Sequence, residues 1–172
     1  MKRLATLITA AAIAASATTL AHAADLSDTA KVTVLRALDD EYHAEAVYAA
    51  TLAAFGDVRP FSNIIEAERK HQAALADLLE GYGVPVPANA YLTGEKPLGP
   101  LPASLQEVCE IGAAAEVENA RLYDEDLMPA AADYADIVAV FTNLRDASVN
   151  NHLPAFQRCA SGKGHGKGHG NG

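Results

Sequence analysis

The stretch Phe61-Ser-Asn-Ile64-Ile-Glu-Ala-Glu68-Arg-Lys-His71-Gln-Ala-Ala-Leu75-Ala-Asp-Leu78 decides the fold. Taken in steps of three and four it yields one stripe: Phe61, Ile64, Glu68, His71, Leu75 and Leu78. That period belongs to a helix with one face turned to a core. Four apolar positions bracket a Glu and a His one turn apart. A carboxylate on a core face is costly unless it meets a counter-charge, a hydrogen-bond partner or a metal ion. The i, i+3 spacing of Glu68-Arg-Lys-His71 aims both side chains from the same face.

Three further segments carry the same period and the same anomaly. Upstream, from about Asp28 to Phe55, the stripe is Val34, Leu38, Glu41, Glu45, Tyr48 and Leu52. From Ser104 to about Leu127 it is Leu105, Cys109, Gly112, Glu116, Asn119 and Tyr123. The last segment starts between Pro129 and Asp133 and runs to about Cys159, with Ile137, Phe141, Leu144, Ser148, His152, Ala155 and Cys159 inward. Strand-like alternation of Val, Ile and Thr is largely absent, so the fold expected is all-α, a four-helix bundle. Gly56 and Pro60 stop the first helix, Gly81-Tyr-Gly83 stops the second, and Ser104-Leu-Gln-Glu107 is a capping box that opens the third.

The connections differ in length. A few residues join helices one and two, and likewise three and four. Between two and three lie residues 81–103, which hold five of the chain's eight prolines. A Pro-rich segment at ~3 Å per residue spans a bundle ~30 Å tall with slack. The expected topology is two antiparallel helix hairpins joined by a long crossover, with an up-down bundle and a decorative loop as the alternative.

The 172 residues carry a net charge of −9, two Cys and no Trp, which excludes a strongly basic nucleic-acid binder and a disulfide-dense mini-protein. Met1 to Arg3 is basic, Leu4 to Leu20 is Ala-rich and apolar, and Ala21-His-Ala23 has a small-x-small cleavage pattern. Residues 1–23 therefore read as a secretory signal peptide, the alternative being a retained anchor. Their removal takes Lys2 and Arg3 and no acid, leaving a mature chain at −11 that is expected in the periplasm or medium. Residues 24–160 form the bundle. Residues 161–172 form a tail with half of the chain's twelve Gly, expected to be disordered, whose His165 and His169 are either weak metal donors or solubilising. Such an acidic chain is expected to bind cations, not nucleic acid, and no membrane after signal cleavage.

Each helix offers an acid or a His near the middle of its inner face, and the halves repeat. Glu41-x6-Tyr48 recurs as Glu116-x6-Tyr123, and His71-Gln-Ala-Ala-Leu75 as His152-Leu-Pro-Ala-Phe156. Hard oxygens with one imidazole per metal suit a carboxylate-bridged pair of Fe or Mn ions. The general template takes one Glu from each of two helices and Glu-x-x-His from the other two. Helix four departs from it, because Val149 stands three before His152.

The ordered set Asp39-Asp-Glu-Tyr42 with Tyr48, Pro60-Phe-Ser-Asn-Ile64 with Glu68-x-x-His71, Ile111-Gly-Ala-Ala-Ala-Glu116, and Asn151-His-Leu-Pro-Ala-Phe156 resembles a bacterial ferritin-like family of unknown function, distantly related to rubrerythrins and ferritins. The resemblance covers nearly all of residues 31–158. It implies the ferritin-like fold and metal ligands at Glu41, Glu68, His71, Glu116 and His152. With Val149 in place of a Glu, two ions, one ion, or Glu45 as a substitute ligand all stay open.

Two further residue pairs follow from the stripes. Cys109 lies seven before Glu116 and Cys159 seven after His152, so an antiparallel pair brings both sulfurs level. In an oxidising compartment a disulfide is favoured, with Pro154 as the obstacle and two packed thiols as the alternative. Tyr48 and Tyr123 read as packing residues and His43 as surface. The function expected is an oxidoreductase acting on ferrous iron, oxygen or peroxide, with no catalytic residues beyond the ligands. The alternatives are a non-catalytic metal-handling protein and a metal-free interaction domain. The oligomeric state is open, a homodimer included.

Overall fold

The structure, a computed structural model, describes residues 25–162; the expected signal peptide and all but the first two residues of the tail lie outside the described residues. These residues form a bundle of four long helical arms with no strand among them. The first arm is α1 (Asp28–Phe55), started by Ser27, whose hydroxyl oxygen accepts the Ala30 N–H at 3.1 Å. The second is α2 (Phe61–Gly81). Within the connection, Asn89 caps the one-turn helix α3 (Ala90–Thr93).

The third arm is α4 (Leu105–Arg121), a π turn over Leu122–Leu127, and the short α5 (Met128–Ala130). Ser104 starts it with one of the two capping-box bonds, accepting the Glu107 N–H at 3.2 Å, while the Glu107 carboxylate reaches back to the Ser104 hydroxyl at 2.9 Å instead of to its backbone N–H. The fourth is α6 (Ala135–Ala147), a second π turn over Ser148–His152, and α7 (Leu153–Ala160).

Two expected boundaries move. The third arm runs past Leu127 to Ala130, and the fourth starts at Ala135, beyond Asp133. The third arm runs on because of the way its proline is housed, and the same device keeps the fourth arm continuous through Pro154. A proline in a helix clashes with the carbonyl four residues earlier. For Pro129 that residue is Glu125 and for Pro154 it is Asn150, and each lies inside a π turn, where the widened turn makes room. Both prolines then occupy the first positions of the next helix, which need no N–H donor.

Helices α1 and α2 pack antiparallel, as do α4 and α7, and the stripes read from the sequence face one another across the bundle. The core is divided in two. One apolar cluster holds Val34, Leu38, Leu75, Leu79, Tyr123, Leu127, Ile137 and Phe141; the other holds Tyr48, Phe61, Ile64, Val108, Cys109, Phe156 and Cys159. Between them lies a layer of buried acids and imidazoles. The Cys109–Cys159 disulfide is formed, with its Cα atoms 5.8 Å apart. It ties α4 to α7, and the π turn ahead of Pro154 keeps α7 aligned for it.

The segment after α2 runs along the outside of α1. Tyr42 donates its hydroxyl to the Pro87 carbonyl at 2.9 Å, Asn89 donates to the Tyr42 carbonyl at 3.1 Å, and Tyr91 donates to Asp39 at 3.1 Å. Lys96 pairs with the same Asp39. No described helix is long and apolar enough to cross a membrane.

Candidate metal centre

Five side chains converge in the layer between the two apolar clusters. Glu41 comes from α1, Glu68 and His71 from α2, Glu116 from α4, and His152 from the second π turn. All are buried except His71, which is partly so. They fall into two groups, Glu41 with Glu68 and His71, and Glu68 with Glu116 and His152; within each, one donor atom per residue lies within 4.8 Å of the others. Glu68 belongs to both groups.

The Nδ1 atom of His71 sits 3.2 Å from Glu41 Oε2 and 3.0 Å from Glu68 Oε2. His152 Nδ1 sits 3.4 Å from Glu68 Oε1 and 3.5 Å from Glu116 Oε1. The rings stack with centroids 5.7 Å apart. His152 Nδ1 is buried and takes part in no hydrogen bond. A buried imidazole nitrogen aimed at two carboxylates without bonding either is an orphan that needs explanation. A divalent cation among those three donors would supply it, and the carboxylate and imidazole set suits Fe or Mn, so the residues fit the metals expected.

The two flanking carboxylates are held crosswise. Tyr48 on α1 donates to Glu116 at 3.2 Å, and Tyr123 in the first π turn donates to Glu41 at 3.1 Å. The repeated Glu-x6-Tyr spacing is thus a reciprocal pair of hydrogen bonds between the halves. Reading these tyrosines as packing residues missed this bond, for which the repeat itself was the signal.

Charge is accommodated by protons when no cation is counted. Burial above all pushes Glu68 well up, with the Glu41 charge adding to it. Burial also acts on Glu41, but hydrogen bonds from His71 and Glu68 outweigh it and hold that carboxyl below its ordinary range. Burial raises both tyrosine hydroxyls well above 10, and the facing carboxylates reinforce it, so both stay donors.

The remaining candidates lie elsewhere. Glu45 is buried outside both groups, its carboxylate taken by Arg69 at 2.8 Å, Gln72 at 3.1 Å and Asn89 at 3.2 Å. It anchors the connection to α1 and α2. His43 is exposed and packs edge-on against Tyr91 at 5.0 Å. Val149 is 39% exposed; the π turn instead brings Ser148, four before His152, into the interior. Ser148 donates to Asn119 at 2.8 Å, and Asn119 donates to Asp40 at 2.6 Å. Sequence reading passed over this chain because Asp40 lies off the α1 stripe. Burial raises the Asp40 carboxyl, partly offset by the Asn119 hydrogen bond.

A family model described as an uncharacterized protein domain, DUF2202, matches residues 30–167. The chain belongs to that family. The DUF2202 match takes in every residue of both groups, both tyrosines and both cysteines. No curated protein and no solved structure matches the chain.

Proposed function

We propose that this DUF2202 chain is an exported ferritin-like metalloprotein whose bundle core holds two Fe or Mn ions, and that it acts as an oxidoreductase on ferrous iron, oxygen or peroxide. The observation that carries the reading is the orphaned Nδ1 of His152 facing Glu68 and Glu116 in a buried layer. Glu41 and His71 would hold one ion, Glu116 and His152 the other, with Glu68 shared. The two hairpins and the long connection along α1 fit a ferritin-like arrangement, and the disulfide fits an oxidising compartment.

Such ions would supply a one-electron redox couple and open positions for a small oxidant. The chain's own part is preorganisation. Tyr48 and Tyr123 fix the orientation of Glu116 and Glu41, so the carboxylates need not rearrange when charge changes between them. The apolar clusters on either side lower the polarity around the layer, which strengthens each charge interaction within it. Five protein ligands cannot saturate two ions, so coordination is left open for the oxidant.

The test is elemental analysis of the protein with His165 and His169 replaced by Ala, which removes the tail's donors. About two Fe or Mn per chain are expected, with most lost in Glu68→Gln, since that residue serves both groups. About one ion per chain would establish a single-ion centre. Retained metal without oxygen uptake or peroxide loss would favour the metal-handling reading. No metal, with stability unchanged by a chelator, would overturn the proposal.

A further inference from the structure

A chamber of 290 Å³ opens beside α1 and α4 and ends on the carboxylates of Glu41, Glu68 and Glu116. Neither His71 nor His152 lines it, so the imidazoles back the carboxylates while the chamber gives onto their free side. Val47, Val108, Ile111 and Ala115 form apolar walls, and the connection closes one side with Gly99-Pro-Leu101-Pro102. Beside the carboxylates the floor adds the hydrogen-bonded series Asp40, Asn119 and Ser148.

The size and lining do not match a small oxidant alone. A water-sized molecule occupies ~30 Å³, while an apolar cavity of ~150 Å³ accepts benzene. The chamber therefore has room for a molecule of roughly ten to twelve non-hydrogen atoms. Its walls favour an apolar body. Its floor carries four acids beside His43, and while they hold no metal their charge rejects an anion. With two divalent ions among Glu41, Glu68 and Glu116 the floor is close to neutral, so an organic cation gains little; this step rests on the metal-centre reading above. Asp40 accepts Asn119 through one oxygen, and a carboxylate has capacity for a further donor.

We infer that the chamber is a binding site for an uncharged, aromatic or similarly apolar small molecule carrying one hydroxyl donor, a phenol-like compound seated with its hydroxyl toward Asp40. Leu101, partly buried in the strap, then bounds the site on that side.

The probe is 1-naphthol, titrated into the full chain by fluorescence, with 1-naphthoate as its anionic counterpart and metal content measured on the same samples. Val47→Trp, which puts an indole into the chamber from its partly buried α1 wall, and Leu101→Ser, which makes its wall polar, are each expected to weaken naphthol binding about tenfold or more. Naphthoate is expected to bind the metal-free protein about tenfold more weakly than naphthol does. Naphthol affinity unchanged in both variants, or naphthoate bound as tightly by the metal-free protein, would overturn the inference. A protein that holds metal but binds no naphthol refutes the chamber site alone. One that binds naphthol in the chamber but holds no metal refutes the metal centre alone.

Discussion

Replacing Gly112 with Ala tests the close approach of α4 to Phe156 of α7. A Cβ at that position would lie 2.8 Å from Cδ1, 2.9 Å from Cε1 and 3.1 Å from Cγ of Phe156. Carbon atoms pack best at about 3.5–4.0 Å, so the overlap is roughly half an ångström to one ångström on three atoms. The ring cannot easily turn away. Phe156 is fully buried, with Phe61 at 5.2 Å and Tyr48 at 5.6 Å between ring centroids. Nor can the helices part below it, because Cys109 and Cys159 are bonded one turn away. Overpacking of this kind costs about 1–3 kcal/mol. The gain from Ala over Gly in a helix is about 1 kcal/mol. We expect a net loss of about 1 kcal/mol, a fall in Tm of roughly 3 °C. Gly81 is the control: its added Cβ meets nothing within 4 Å, its φ is not positive, and it ends α2 on the surface. Gly81→Ala should gain up to about 1 kcal/mol. The assay is chemical denaturation of both variants, plus Phe156→Leu alone and combined with Gly112→Ala. The pair should show a coupling of about 1 kcal/mol, the smaller side chain relieving the overlap. Equal stabilisation by both Gly→Ala changes would refute the packing described.

Two further outcomes follow from the same structure. The disulfide links residues 50 apart in sequence, and in the chain-entropy model Cys109→Ser with Cys159→Ser costs about 4 kcal/mol. A denaturation midpoint that does not move on reduction would refute it. In the metal-free protein burial lowers the His71 pKa, but the Glu41 and Glu68 carboxylates outweigh it and lift it to about 10. Because the folded value lies above the unfolded value of about 6.5, this contribution is complete below about pH 6.5 and is lost as pH rises toward 10. The stability difference between the parent and His71→Gln should shrink across that window, and a difference growing with pH would contradict the assignment.

The helical period was enough to locate the arms and most of their inner faces. Val34, Leu38, Glu41, Glu45 and Tyr48 are all buried, as are Ile137, Phe141, Leu144, Ser148, His152 and Cys159. Periodicity reports which side of a helix is dry, and here it was strong. What it did not report was the partner across the gap. Glu45 lay on the stripe like Glu41, yet Arg69, Gln72 and Asn89 claim it, and those bonds depend on helix register and on the path of a loop. The π turns left no comparable trace: buried positions advance by four twice in succession at Ser148, His152 and Phe156, but they do so equally at Ala30, Val34 and Leu38 in the regular helix α1.

The crossed Tyr48–Glu116 and Tyr123–Glu41 bonds make each hairpin the donor for the other's buried acid. A hairpin separated from its mate turns its acid and the apolar stripe around it out to water, so neither half buries a core of its own, and closing the bundle and shaping the centre go together. A two-fold pairing of two first hairpins would restore every crossed bond and would bring Glu68 and His71 in twice, meeting the symmetric template in full. A pairing of two second hairpins would bring His152 twice and a Val149 where each bridging acid belongs. The lopsidedness of the present centre therefore resides wholly in the second half of the chain.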